Sequence, residues 1–226
     1  MNISPATNKF SRGLSLLEVL LVVMIIVAIF VMPIHLVYKK EKAHADRVRC
    51  INNLKQVGLS SILWERDHGD KFPDKFPWEI AQTNGGTMEF TSGPNLWRHF
   101  QVMSNELSTP SILVCPADDS PVAATNFTHF NNANISYFIA LEGTQSAPDS
   151  LVSGDRNITN GTSIEHGILN LTPNHAAGWT KEMHRLIGLT VTADGSAALL
   201  STPQLRDHVS RGVDTTNRLL MPVREP

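Results

Sequence analysis

The sequence predicts an α+β chain: a long N-terminal α-helix, membrane-spanning in its first half, packed on a small antiparallel β-sheet domain with long loops. Three observations predict it. An apolar stretch runs over residues 14–38 and includes an uninterrupted apolar run from Val19 to Met32. No proline occurs from Lys39 to His68, where Val48, Ile51, Leu54, Leu59 and Ile62 share one arc of a helix turning about 100° per residue. Leu186 to Ala193 and Ser196 to Ser201 then flank Asp194-Gly195, a dipeptide that supplies positive φ for a two-residue type I′ hairpin turn.

Residues 1–13 form a short leader carrying Lys9 and Arg12. Residues 14–38 follow as the transmembrane helix. At about 1.5 Å per residue they cover roughly 37 Å, enough to cross a hydrocarbon core of about 30 Å with some tilt. Glu18 is an ionisable group at the edge of this stretch, and such a group near a membrane is by default functional. Residues 39–68 continue the helix in amphipathic form. Gly69 to Pro77, with its two Asp-Lys-Phe-Pro copies, stops it.

Residues 69–226 read as a globular β-rich domain. A short helix is expected within 97–107, an apolar strand at 111–115 ended by Pro116, and strands at 135–141 and 151–153. Gly154-Asp155-Arg156-Asn157 reads as a turn, and the stretches 143–150 and 157–174 as surface loops.

Nineteen basic and twenty-one acidic side chains leave a net charge of −2, which argues against a nucleic-acid partner bound through a broad basic surface. Two cysteines are too few for a disulfide-built miniprotein or a four-cysteine zinc site. His166, His175 and His184 recur every nine residues, an interval that matches neither a helix face nor a strand face, so no metal site is assigned to them. Asp118-Asp119 could open a calcium loop, but the usual Asp-x-Asp-x-Asp-Gly spacing is missing. No nucleophile elbow, phosphate-binding loop or dinucleotide fingerprint occurs, and the expectation is a protein that is not an enzyme.

Arg12-Gly13-Leu14-Ser15-Leu16-Leu17-Glu18 and the apolar run after it resemble the cleavage and methylation signal of type IV prepilins and type II secretion pseudopilins. Leu14 departs from the usual Phe at that position. Arg49 to Gln56, Cys115-Pro116 and Ala193-Asp194-Gly195-Ser196 resemble short segments of a bacterial subgroup of pseudopilin-like proteins. The resemblance implies processing by a prepilin peptidase between Gly13 and Leu14 and methylation of the new N-terminus. It also implies a single-pass protein of the bacterial inner membrane with its C-terminal domain in the periplasm. Other pseudopilin subunits would be its partners, and Glu18 would act in assembly. The function implied is a structural subunit of a type II secretion-like filament. The alternatives are a type IV pilus subunit and a membrane-anchored envelope enzyme or binding module. An exported location also permits one disulfide between Cys50 and Cys115; two buried thiols are the other reading.

Overall fold

The computed structural model describes residues 15–172, 177–211 and 217–223, without the side chains of residues 32–36. The chain is α+β, and it separates into two compact units, Met1–His44 and Ala45–Pro226. In chain order its elements are α1 (Leu16–His68), α2 (Leu96–Val102), α3 (Ser104–Leu107), β1 (Tyr137–Ala140), β2 (Leu151–Asp155), β3 (Ile158–Thr159), β4 (Ile168–Leu171), β5 (Gly178–Trp179), β6 (Ile187–Thr192), β7 (Ala197–Ser201), α4 (Thr202–Arg211) and β8 (Asn217–Leu220).

In the first unit, α1 begins at a capping box. The Ser15 hydroxyl accepts from the Glu18 N–H at 3.3 Å, and the Glu18 carboxylate accepts from the Ser15 N–H at 2.8 Å. Two donors that a helix start leaves orphaned are satisfied reciprocally. Beyond the box the helix is apolar on every side. Its large side chains from Leu16 to Val31 are all exposed, from 47% at Val19 to 89% at Leu16. At about 1.5 Å per residue the stretch 16–31 covers roughly 24 Å. Among the described residues no helix is long and apolar enough to cross a membrane.

In the second unit, β4, β8, β1, β2, β6 and β7 form a six-stranded sheet in that order, and each neighbouring pair is antiparallel. Both faces are covered, which is why β1 is buried along its whole length. Tyr137 and Ile139 point into a core with Cys50, Leu54, Val57 and Trp64 of α1 and with Leu96 and Phe100 of α2. Phe138 and Ala140 point the other way, into a second core with Trp179 of β5 and with Leu205 and Val209 of α4. The period of two along the strand thus feeds two cores at once.

The buried stripe of α1 is Cys50, Leu54, Val57, Ser61 and Trp64, spaced four, three, four and three apart. Its centre lies roughly 120° around the helix from that of the arc expected from sequence; of that arc Leu54 is buried and Ile51 packs against the core, while Val48 and Leu59 are 44% and 53% exposed. The disulfide at Cys50 and the size of Trp64 turn the helix to this face.

Gly58 lies where α1 meets β6, and a Cβ there would come within 2.5 Å of Val191 Cγ2. Gly58→Ala gains about 1 kcal/mol of helix propensity against about 1–3 kcal/mol of overpacking. A net loss of up to about 2 kcal/mol is expected, with relief in a Val191→Ala background. A urea midpoint for Gly58→Ala at or above wild type would contradict this reading of the contact.

Several local expectations change. Residues 110–113 form a 3-10 turn, not a strand, because Thr109 caps Ser111 and Pro110 starts the turn. Gly154 and Asp155 belong to β2 and pair with Thr190 and Tyr137, so the turn expected there is strand. The stretch 157–174 contains β3 and β4, short strands without clear alternation. The expected helix within 97–107 is broken at Met103 into α2 and α3.

The β6–β7 hairpin closes through Gly195 N–H to Thr192 C=O at 2.9 Å and Thr192 N–H to Ser196 C=O at 3.0 Å. Only Gly195 has positive φ, 81°; Asp194 does not enter the left-handed region. This is a three-residue loop, a type I turn followed by a left-handed glycine, and not the two-residue type I′ turn. Asp194 is held by its own carboxylate, which accepts from the Ser196 N–H at 2.9 Å and the Thr192 hydroxyl at 2.7 Å.

Candidate functional site

Two places concentrate the chemistry-bearing residues, one in each unit. In the first, Gly13 and Leu14 lie outside the described residues, and Glu18 stands in the capping box at the head of the exposed apolar helix. The carboxylate therefore has a local task, fixing the helix start, whatever else it does.

The second is a buried cluster built on Cys50 and Cys115, which are joined in a disulfide. Cys50 comes from the buried stripe of α1. Three hydrogen bonds hold the segment 113–115: the Cys115 N–H donates to the Ser136 hydroxyl at 2.9 Å, Ser136 N–H donates to Leu113 C=O at 2.9 Å, and Asn53 donates to Val114 C=O at 3.1 Å. Pro116 then occupies the second position of a turn closed by Asp118 N–H to Cys115 C=O at 2.9 Å.

His184 reaches the bridge with Nε2 3.4 Å from Cys115 Sγ. The same nitrogen is 3.5 Å from Oδ2 of Asp155, at the end of β2. Asp155 is fully buried; its Oδ2 accepts from the Leu189 N–H at 2.8 Å, and its Oδ1 has no partner among the described residues. Burial pushes the Asp155 carboxyl up to about 8, against the opposing pull of the Leu189 hydrogen bond. Burial, and next the Arg47 charge, hold His184 below its ordinary value. Both shifts favour the neutral forms, against an ion pair between the two.

Arg156, one residue on, takes Asp118 in a two-pronged grip, Nε to Oδ2 at 2.7 Å and Nη2 to Oδ1 at 2.8 Å. Its Nη1 donates to Glu182 at 3.1 Å. The Asp118 side chain is 1% exposed, so this is a largely desolvated pair. Both oxygens of Asp118, the first residue of the candidate calcium loop, face this guanidinium.

A further histidine, His99 of α2, is fully buried away from this cluster. Its Nε2–H donates to Phe90 C=O at 3.1 Å, which leaves Nδ1 to accept from the Thr87 hydroxyl at 2.6 Å. Burial lowers its pKa to about 4. Between about pH 6.5 and pH 4 the unfolded chain binds a proton there that the folded chain refuses, so stability is lost as pH falls across that window. His99→Gln removes the titration. The stability difference between wild type and His99→Gln is expected to shift against wild type by about 3 kcal/mol from pH 7 to pH 4. A difference constant with pH, measured by urea unfolding, would show that His99 is not desolvated.

The sequence pointed to Gly13, Leu14, Glu18, Cys50 and Cys115, and the structure brings the two cysteines together. It did not point to His184, Asp155, Arg156 or Asp118 as one group. The usable signal was thin: Asp155-Arg156 directly follows a β-rich stretch, where a charged pair reads as a turn. Of the three evenly spaced histidines, His175 lies outside the described residues, and only His184 joins the cluster. No family model, no curated protein and no solved structure matches this chain.

Proposed function

We propose that the chain is a pseudopilin-like structural subunit of a type II secretion-like filament, cut by a prepilin peptidase after Gly13 and anchored in the inner membrane by residues 14–38. Its C-terminal unit lies in the periplasm, and its chemistry is assembly, not catalysis. The observation that supports this most is the start of α1: a capped helix end directly after the Gly13-Leu14 signal, opening into apolar surface exposed on all sides. Apolar surface in water costs roughly 25 cal/mol per Å², so this segment requires lipid or neighbouring helices around it. Lipid serves the newly inserted subunit, and neighbouring helices serve it in the filament. Met32 to Tyr38 extend the apolar run in sequence to the length a bilayer needs.

Processing is the direct test. Mass spectrometry of protein from membranes that contain the peptidase is expected to find the chain starting at Leu14, and Gly13→Val is expected to leave the full-length precursor, because a branched side chain crowds the cleavage cleft. Normal processing of the Val variant would remove the prepilin reading in favour of a plain anchor. Glu18→Gln separates charge from capping, since Gln also serves in the capping box. The Gln variant is expected to be inserted and cleaved but to give few crosslinked multimers. Multimers at wild-type level with Gln, lost only with Ala, would reduce Glu18 to a helix cap.

A further inference from the structure

The group around Cys115 contains more than a disulfide needs. Cys50 Sγ, Cys115 Sγ and His184 Nε2 lie within 4.8 Å of one another, and all three residues are buried. Next to them stands Asp155, fully buried, with a carboxylate oxygen that no described residue satisfies. Arg156 cannot serve it, being engaged by Asp118 and Glu182. The unsatisfied oxygen is Oδ1, while Oδ2, 3.5 Å from the imidazole, already accepts from the Leu189 N–H. A cation would satisfy the carboxylate where the disulfide does not.

We propose that the chain with Cys50 and Cys115 reduced binds one Zn²⁺ through both sulfurs, His184 Nε2 and an oxygen of Asp155, and that oxidation to the disulfide expels the ion. Two thiolates, an imidazole and a carboxylate are the donor set a tetrahedral zinc takes. Bond lengths of about 2.3 Å to sulfur and about 2.0–2.2 Å to nitrogen and oxygen put ligand atoms about 3.6 Å apart for S···N and about 3.4 Å apart for N···O. The distances found are 3.4 Å from Cys115 Sγ to His184 Nε2 and 3.5 Å from His184 Nε2 to Asp155 Oδ2. The two sulfurs must part, to about 3.8 Å, for which side-chain rotation on Cα atoms 5.0 Å apart suffices, and the Asp155 carboxylate, which lies outside the group of three within 4.8 Å, must close on the sulfurs.

The disulfide ties α1 to the segment at residue 115. The ion would tie those two segments also to β2 and to the approach to β6, and would be taken up as the chain folds, before its cysteines are oxidised. In the oxidation, a disulfide of a thiol oxidant receives two electrons from the two thiolates. Its sulfurs leave as two thiols after taking up two protons, the Cys50–Cys115 bond forms, and Zn²⁺ departs with its charge unchanged. The proposal rests on this cluster alone and does not depend on the filament reading.

The test uses the full chain in detergent, reduced by a phosphine without oxygen, with Co²⁺ as the spectroscopic probe. The reduced chain is expected to bind one Co²⁺ with thiolate-to-metal charge-transfer absorption and the visible bands of a tetrahedral site. Zn²⁺ should bleach both, and oxidised glutathione should release the metal. The oxidised chain and Cys115→Ser are expected to show no charge-transfer band. His184→Gln and Asp155→Asn should each weaken Co²⁺ binding at least tenfold. The absence of the band in the reduced wild type would overturn the proposal, as would unchanged affinity in both ligand variants. Loss of near-ultraviolet circular dichroism on reduction that metal does not restore would overturn it equally, because the proposal requires a folded dithiol form.

Discussion

Arg156→Met is expected to lower the unfolding free energy by about 3–5 kcal/mol, the usual penalty for leaving a buried carboxylate without its partner. The Arg156 side chain is 21% exposed and Asp118 only 1%, so water cannot replace the lost guanidinium at Asp118. Asp118 also accepts from the Ser120 N–H at 3.1 Å, and that single hydrogen bond is too little to offset a bare charge. Combining Arg156→Met with Asp118→Asn should recover most of the loss, since the charge that needed a partner is then gone. Urea unfolding of the four chains in one detergent forms the cycle. A loss under about 1 kcal/mol for Arg156→Met alone would mean that Asp118 relaxes toward solvent.

Removal of the disulfide by Cys50→Ala with Cys115→Ala should cost about 4 kcal/mol, the chain-entropy value for a closed loop of this length. The bridge spans 65 positions and both residues are fully buried. It fastens α1, which supplies Leu54, Val57 and Trp64 to the first core, to the segment at residue 115. The double variant should unfold at the same urea concentration with and without a phosphine reductant, whereas the wild-type midpoint should fall when reductant is added. A wild-type midpoint indifferent to full reduction would show that packing around Trp64 and Leu54 alone holds α1.

Both effects arise from residues that lie far apart in sequence, and that separates what was legible from what was not. The sequence by itself determined the elements whose signal is local. The capped helix start at Ser15 and Glu18 went unread, although its four residues are consecutive. The apolar run sets the character of the first part of α1, and β1 and the β6–β7 hairpin follow from β-branched and apolar runs bounded by turn residues. The details of that hairpin escaped, because whether Asp194-Gly195 closes a two-residue or a three-residue loop depends on a side-chain hydrogen bond that shares no periodicity with the strands. The buried stripe of α1 escaped for a different reason. Amphipathicity ranks residues by polarity, while burial here is ordered by the disulfide, by the bulk of Trp64 and by the absence of a Cβ at Gly58 where Val191 approaches.

The cluster at Cys115 was decided by tertiary structure alone. His184 precedes β6, Asp155 ends β2, Cys50 sits on α1 and Arg156 turns to Asp118. Their meeting depends on strand order, with β2 between β1 and β6, and no spacing along the chain encodes that order. A charged residue reads as exposed in sequence because desolvation normally forbids anything else. Only the folded sheet places a backbone N–H of Leu189 and an imidazole beside Asp155 and so offsets part of the cost of burying it.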